Sequence, residues 1–361
     1  MMLTRSDRWR LVTLIIIACA GVVIATMSGQ GDLLRLSEAP TRSAATASAW
    51  PAESSRPGPR QRHGSMAVTF LATADTHFGY QVTASDEDEG LPRTVEEARG
   101  IEKVHLEVIA DLNHIDGRPY PSALGGKVGK PLGLLIAGDL TEYGTPSAWA
   151  RFEAYYGLTG KDGLLHYPVF ETIGNHDKYF GFFVKRRVAE RHGSVRYSWD
   201  WQDLHIACLG EAPDDEDLAW LAKDLQAQGR DVGVVLYFHF PLKGPFSRNW
   251  FGDGDYREKL RTVIDGYRVL GIFHGHYHAS GTYQWHGYDV YNLGSAKHRW
   301  QSFAVVQVTD ERFTVASWNY QRKAWWWWHD KPIFDAPGKP RRWLSSSAAL
   351  IRGSTGRASR P

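Results

Sequence analysis

Short apolar runs recur through the middle of the chain, each bounded by glycine or by polar residues. Runs of four to six residues with this spacing are typical of strands buried on both faces. Six strands are predicted on this basis, at Val68–Ala72, Gly133–Ala137, Val169–Ile173, Leu204–Leu209, Gly233–Phe238 and Leu270–Phe273. Their β-branched and aromatic content supports strands over short buried helices.

Amphipathic segments with helical spacing lie between several of these runs. One segment has Thr145 in the N-cap position, a proline after it and Gly157 at its end, which predicts a capped helix. Another carries Leu218, Leu221 and Leu225 along one face. Strands that alternate with helices predict a layered α/β domain.

The pattern changes after about residue 285, where strand-like segments follow one another without helices. These segments predict a second sheet that completes the domain as a sandwich. The last of them contains "AWWWWHD". Because side chains alternate along a strand, we expect two of the four tryptophans to pack between the sheets and two to face outward.

The N-terminus has the charge pattern of a membrane-targeting segment. Arg5, Arg8 and Arg10 precede Leu11–Met27, seventeen residues without a charge. This pattern predicts an N-terminal signal-anchor or signal peptide over residues 1–27. An uncleaved anchor is favoured, while cleavage at Ala18–Ala20 and attachment of a lipid stay open. Each alternative places the rest of the chain outside the cytoplasm, as a single-pass membrane protein or a secreted or periplasmic one.

Changes in composition along the sequence predict the domain boundaries. Residues 28–65 are rich in Ser, Ala, Pro and Arg without periodicity, which predicts a flexible linker. Residues 66–335 form the predicted catalytic domain, and residues 336–361 a disordered basic tail. The net charge of +2, from 42 basic and 40 acidic residues in 361, gives no argument for a nucleic-acid partner.

Asp, Asn or His follows five of the six predicted strands. Ligands in α/β sheets bind beyond the carboxyl ends of the strands, so we expect these side chains to converge. The sequences that carry them are "DTH", "GD", "GNHD", "FH" and "GHYH". The donors they supply are Asp75, His77, Asp139, Asn175, His239, His276 and His278.

This donor set predicts a metal centre of a particular kind. It contains no thiolate, so a structural zinc knot is disfavoured, and mixed imidazole and carboxylate donors suit Mn, Fe, Zn or Co. Seven donors exceed the needs of one ion with an open position. Two divalent or trivalent ions that share a carboxylate would use them all.

The ordered motifs resemble those of the calcineurin-like metallophosphoesterase superfamily over residues 68–300. The resemblance implies a four-layer α/β/β/α sandwich of two mixed sheets flanked by helices. It also implies a ligand set for each metal. The first metal would take Asp75, His77, Asp139 and His278, and the second Asp139, Asn175, His239 and His276.

Two further residues receive roles from the same resemblance. His176 would lie beside the scissile phosphate, where it could protonate the departing oxygen, and Asp177 would orient it. His274 matches no ligand of the family and is interpreted as a packing residue at a strand end. Asp75 and Asp139 are 64 positions apart, which leaves room for an insertion that covers the site or decorates the surface.

The function implied is hydrolysis of a phosphate ester by a hydroxide that bridges two metal ions. A phosphomonoesterase that acts on a phosphorylated small molecule or lipid is favoured. A phosphodiesterase or nuclease with the same site, and a non-catalytic envelope-binding module, stay open.

Overall fold

The computed structural model describes residues 65–80, 100–243, 255–297 and 301–333. These residues form two six-stranded sheets and five α-helices. The helices are α1 (Gly100–Asn113), α2 (Pro146–Tyr156), α3 (Phe183–His192), α4 (Asp215–Gln228) and α5 (Asp255–Ile264). The strands are β1 (Ala67–Thr73), β2 (Leu134–Ala137), β3 (Val169–Thr172), β4 (Arg196–Trp201), β5 (Leu204–Leu209), β6 (Gly233–Tyr237), β7 (Arg268–His274), β8 (Ser280–Trp285), β9 (Tyr288–Leu293), β10 (Ser302–Thr309), β11 (Arg312–Asn319) and β12 (Ala324–Pro332).

The first sheet has the order β12-β11-β10-β1-β2-β3. Strands β1, β2 and β3 are parallel, whereas β10, β11 and β12 extend the sheet from β1 in antiparallel pairs. The late strands were expected to build a second sheet of their own. Instead β10 pairs with β1 along six residue pairs, so the first and last strands of the domain are neighbours.

The second sheet has the order β4-β5-β6-β7-β9-β8. Its central strands β5, β6, β7 and β9 are parallel, and antiparallel β4 and β8 form its edges. The parallel strands β1, β2, β3, β5, β6 and β7 coincide with the six apolar runs of the sequence, whereas parallel β9 comes from the later strand-like segments. Strand β4 escaped prediction because its side chains are mostly only half-buried and its composition is mixed.

Three apolar clusters fill the spaces between the layers. One lies between the sheets and joins residues such as Phe70 and Leu135 to Val235 and Phe273. The second packs α1, α2 and α3 on the outer face of the first sheet, and the third packs α4 and α5 on the outer face of the second. The predicted α/β/β/α sandwich is confirmed.

Helix ends follow the predicted local chemistry. The Thr145 side chain accepts a hydrogen bond from the Ala148 N–H at the start of α2, and the helix ends at Gly157. At the start of α4, Asp214 and Asp217 form a reciprocal capping box. These caps satisfy backbone N–H groups in the first turn of each helix.

The described part of the segment between Asp75 and Asp139 packs into the fold. Its helix α1 buries Val108, Ile109 and Leu112 against the outer face of the first sheet. Glu102 of α1 forms a buried ion pair with Arg151 of α2, with 2.8 Å between Arg151 Nη1 and Glu102 Oε1. The described part of this insertion therefore belongs to the helical layer.

The tryptophan run does not alternate as predicted. Strand β12 has an irregularity opposite Ser317 and Trp318, where Trp326 is the extra residue. Trp325 consequently packs against Trp318 on the outer face, while Trp327 packs between the sheets and donates to Ser280 Oγ. A bulge reverses the facing of all later side chains in a strand.

The predicted N-terminal segment 1–27, nearly all of the linker 28–65 and the tail 336–361 lie outside the described residues. No helix in the described parts of the chain is long and apolar enough to cross a membrane.

A buried histidine joins two strands of the second sheet to a helix that packs on that sheet. His205 of β5 places Nδ1 2.8 Å from Asp200 Oδ1 of β4, and Nε2 2.8 Å from Asp224 Oδ2 of α4. Burial opposes the charged imidazole, but the two carboxylates outweigh burial and raise the pKa of His205. The folded protein therefore binds this proton more tightly than the unfolded chain does.

We expect His205→Gln to destabilise the protein in a pH-dependent way. A group whose pKa is raised on folding stabilises fully below its unfolded pKa, about 6.5 for histidine, and loses this effect as pH rises through the folded pKa. Urea unfolding at pH 6 should show a loss of roughly 2–3 kcal/mol that shrinks at higher pH. The exposed His166→Gln is the matched control. A loss that stays constant from pH 6 to alkaline pH would contradict the charged interaction.

Candidate metal centre

The loops after five parallel strands meet at one end of the sandwich. Asp75 and His77 follow β1, Asp139 follows β2, and Asn175 follows β3 in the first sheet. From the second sheet, His239 follows β6, and His276 and His278 follow β7. All seven predicted donors therefore lie at carboxyl ends of strands that face each other across the sandwich.

Four of these donors form one group, in which the ligand atoms lie within 4.8 Å of one another. The group consists of Asp75, His77, Asp139 and His278. The Nε2 atoms of His77 and His278 are 3.0 Å apart, and Nε2 of His278 is 3.3 Å from Asp75 Oδ1. Two imidazole nitrogens this close, beside a carboxylate, surround a space suited to a cation.

A second group shares Asp139 and adds His239 and His276. Nε2 of His239 lies 3.3 Å from Asp139 Oδ2, 3.1 Å from Asn175 Oδ1 and 3.3 Å from His276 Nδ1. The structure thus brings all seven donors together in two adjoining groups. Asp139 is the residue common to both.

The hydrogen bonds behind the histidines set which nitrogen can bind a metal. Nδ1 of His239 lies 2.8 Å from the Ala137 carbonyl, and Nδ1 of His77 lies 2.8 Å from Glu142 Oε2. Both partners only accept, so Nδ1 carries the hydrogen in each ring. Nε2 is then the nitrogen that faces the site and would bind a metal.

Backbone strain is concentrated in these donors. Five of the seven have left-handed backbone conformations, with φ between 48° and 67°. They are Asp75, His77, Asp139, His276 and His278. This conformation costs a non-glycine residue about 1–2 kcal/mol. Strain persists only where the surroundings enforce it, and it clusters at functional sites.

One glycine lets two of the loops approach closely. A Cβ atom on Gly174 would lie 2.1 Å from Asp139 Oδ1 and 2.4 Å from the Asp139 nitrogen. Any side chain there would displace the shared carboxylate. The glycine of the "GNHD" motif therefore serves the contact between the loops after β2 and β3.

The buried carboxylates of the site are stabilised by nearby positive charge. Burial opposes the charged form of Asp139, but His239, His77 and His176 outweigh burial and hold its pKa well below the ordinary range. In the same way Asp139 and Asp75 outweigh burial and raise the pKa of His239 to about 10. Oδ2 of Asp139 is buried without a hydrogen bond from the described residues. The donor set therefore fits metal ions, which would supply this positive charge.

The structure corrects the predicted role of Asp177. Its buried carboxylate accepts hydrogen bonds from Leu140 N, Thr141 N, Thr141 Oγ1 and Gly174 N, at 2.8–3.0 Å. Burial, with the charge of Asp139, raises the pKa of Asp177 to about 7. Asp177 thus joins the loops after β2 and β3 rather than orienting His176.

His176 is oriented by the residue that sequence analysis missed. Its Nδ1 lies 2.7 Å from the backbone carbonyl of Glu142, and its backbone N–H donates to Asp139 Oδ1 at 2.9 Å. Its ring meets the His77 ring edge-on at a centroid distance of 4.8 Å. The imidazole therefore stands beside the first donor group and is fixed at one nitrogen.

Glu142 also supports the site through its side chain. Oε2 contacts His77, and Lys297 Nζ lies 2.8 and 2.9 Å from Oε1 and Oε2. Burial opposes this charge, but His77 and Lys297 outweigh burial and lower the pKa of Glu142 to about 2. The only signal in the sequence was its place three residues after Asp139, where a turn carboxylate is unremarkable.

His274 lies at the end of β7, as predicted, and does not join either donor group. It is 1% exposed, with Nδ1 2.8 Å from the Gly275 carbonyl and Nε2 2.9 Å from the Tyr283 hydroxyl. Both ring nitrogens thus have partners within the fold.

Comparison with known proteins gives one family and several structures. A family model described as calcineurin-like phosphoesterase matches residues 68–280. No curated protein is significantly similar in sequence.

Among solved structures, the chain is similar to a dimetal phosphatase from Danio rerio, with 14% identity and a TM-score of 0.49 over 74% of this chain and 98% of that one. It is also similar to the purple acid phosphatase PPD1 from yellow lupin (Lupinus luteus), with 12% identity and a TM-score of 0.49 over 75% of this chain and 54% of that one. A third similar structure is GAP50, the anchor in the inner membrane complex of Plasmodium, with 11% identity and a TM-score of 0.49 over 75% of this chain and 90% of that one.

We expect Glu142→Ala to weaken metal binding by roughly 10–100-fold, because residues that orient a ligating histidine contribute about this much to affinity. Isothermal titration of Mn²⁺ or Zn²⁺ into metal-depleted protein measures the effect. Lys297→Met is the matched control, since it removes the ion pair but keeps the contact between Glu142 and His77. Unchanged affinity in Glu142→Ala, or an equal loss in both variants, would contradict an effect transmitted through His77.

Proposed function

Since the chain belongs to the calcineurin-like phosphoesterase family, which consists of hydrolases that act on phosphoric esters, we propose that it hydrolyses a phosphomonoester at a centre of two metal ions. The observation that carries the proposal is the position of Asp139, whose carboxylate belongs to both donor groups. A shared carboxylate between two sets of imidazoles is an arrangement for a metal pair.

The proposed ligands follow the two groups. Asp75, His77, Asp139 and His278 would hold one ion, and Asp139, Asn175, His239 and His276 the other. Mn, Fe, Zn and Co all suit these donors. When bound, the ions would lower the pKa of a shared water and neutralise charge on the phosphate oxygens.

His176 is the proposed acid for the leaving group. Because Nδ1 donates to the Glu142 carbonyl, the proton available for transfer is the one on Nε2 of the imidazolium. The side chain is 22% exposed, so a substrate can reach it. Proton donation to the departing oxygen avoids a poor alkoxide leaving group and contributes roughly 10²–10⁴-fold to the rate.

The surroundings of the centre favour a small substrate over nucleic acid. Two lysines flank the site, and each pairs with a glutamate: Lys178 with Glu211 and Lys297 with Glu142. Of the described residues next to the metal ligands, these two lysines are therefore not free to bind a second phosphate of a nucleic-acid backbone. The proposed substrate is therefore a phosphorylated small molecule or lipid. With the N-terminal segment as an anchor or signal, the reaction would take place outside the cytoplasm.

A substrate panel tests the reaction class. With Mn²⁺ present, we expect faster turnover of nitrophenyl phosphate than of bis-nitrophenyl phosphate, a cyclic nucleotide or single-stranded DNA. The control is the same protein after metal depletion. Turnover that survives depletion would contradict the metal mechanism. A preference for bis-nitrophenyl phosphate or DNA would show that the substrate is a phosphodiester and not a phosphomonoester.

Two substitutions separate the metal ligands from the acid. Asp139→Asn should abolish turnover together with metal binding, because it removes charge from both donor groups. His176→Ala should lower kcat by roughly 10²–10⁴-fold with metal content unchanged. Elemental analysis beside steady-state kinetics distinguishes the two. The assignment of His176 is contradicted if its alanine variant loses metal or keeps normal kcat.

A further inference from the structure

Four exposed aromatic side chains lie on adjacent loops beside the metal centre. Tyr143, Tyr179, Phe180 and Phe182 are 57%, 61%, 55% and 53% exposed, and we call them the aromatic rim. Large apolar side chains at this exposure are ordinary when scattered, whereas a contiguous group marks an interaction surface.

The rim is contiguous because its two loops touch. Gly144 follows Tyr143, and a Cβ atom there would lie 2.9 Å from the Asp177 carbonyl oxygen and 3.2 Å from the Phe180 nitrogen. The Tyr179 ring lies 5.1 Å from the ring of His176. The rim therefore borders the position of the proposed acid.

Phe182 is exposed although its backbone conformation is strained. Phe182 precedes α3 with φ 59° and ψ 23°, in the left-handed region that bulky residues rarely adopt. Its ring is exposed, so burial of the side chain does not offset this strain. An unfavourable backbone that presents an apolar ring to solvent points to an interaction outside the fold.

Basic side chains follow the rim directly. Lys185 and Arg186 are exposed in the first turn of α3, and Arg186 Nη1 donates to the Gly181 carbonyl at 2.8 Å, which keeps it next to Phe182. Other cations of α3 are neutralised within the fold, since Arg187 pairs with Glu190 and Arg191 with Glu171. The surface thus combines aromatic rings with positive charge.

We propose that the aromatic rim, with Lys185 and Arg186, docks onto an anionic lipid bilayer. Aromatic rings partition to the depth of the headgroups, and Lys and Arg attract anionic lipids. The aromatic rings therefore match the headgroup layer of a bilayer, and the two basic side chains match its anionic lipids. Docking does not depend on the proposed catalysis, although together they would place the metal centre at headgroup level.

The rest of the sequence agrees with a bilayer as the partner. The uncharged segment Leu11–Met27 is predicted to enter a membrane, and residues 28–64 join it to the first described residue. With the predicted linker composition, this length corresponds to a root-mean-square span of roughly 35 Å. That is comparable with the size of a domain, so a tethered domain can turn this face to the lipid.

The test places a fluorescent probe on the rim of the full chain. Phe180→Cys in a Cys19→Ser background gives a single labelling site, because Cys208 is fully buried. The matched control is Leu164→Cys, a 45% exposed position in the loop before β3, at the opposite end of that strand. Each labelled protein is reconstituted in vesicles of phosphatidylcholine, of phosphatidylcholine and phosphatidylglycerol in equal amounts, or of cell membranes. Nitroxide-labelled lipid is the quencher.

We expect the probe at position 180 to shift to shorter wavelength and to be quenched in anionic vesicles, and the probe at position 164 to show neither change. Lys185→Gln with Arg186→Gln should lower the ratio of docked to undocked protein about 25-fold, since each basic residue near an anionic surface contributes roughly fivefold. Turnover of nitrophenyl phosphate in solution should stay unchanged, which confirms that the variant is folded.

Three results would overturn the proposal. The first is no quenching at position 180 in anionic vesicles, or equal quenching at positions 180 and 164. The second is equal quenching in neutral and anionic vesicles, which would remove the role of Lys185 and Arg186. The third is quenching only in vesicles made from cell membranes, which would assign the rim to a membrane protein instead of lipid.

Discussion

The structure depends on the burial of several carboxylates at one end of a sandwich, where water cannot screen them. Asp75, Asp139 and Asp177 are all at most 1% exposed. An uncompensated buried charge costs several kcal/mol, so each needs hydrogen bonds or positive charge. Asp177 accepts four hydrogen bonds, whereas Asp75 and Asp139 each accept a backbone N–H, from His276 and His176, and otherwise face imidazole rings. The remaining deficit of positive charge is what a pair of metal ions would fill.

This constraint also explains why so much of the site was predictable. A buried strand in a parallel arrangement delivers the residues after it to the same edge, and the apolar runs that mark such strands are easy to recognise. The convergence of Asp75, Asp139 and His239 therefore followed from the order of strands and loops. The structure adds that the loops meet in left-handed conformations, at a cost that their shared function would justify.

Contacts between loops were harder to predict than the loops themselves. Glu142, for which the sequence predicted no role, orients His176 in place of Asp177, because the contacts of His176 depend on how the loops after β2 and β3 stack. That stacking depends on close approaches of the two loops at Gly144 and Gly174. The same limit applies to β12, where one extra residue in the strand changed which tryptophans face the core. Periodicity predicts an element, but it does not reveal a bulge or a neighbouring loop.

The central claim is that these strand ends hold two metal ions on either side of Asp139. Anomalous diffraction from crystals of the full chain grown with Mn²⁺, recorded on both sides of the Mn absorption edge, tests it most directly. The account predicts two anomalous peaks, one among Asp75, His77 and His278 and the other among Asn175, His239 and His276, with Asp139 next to both. A single peak, or peaks only away from Asp139, would contradict it.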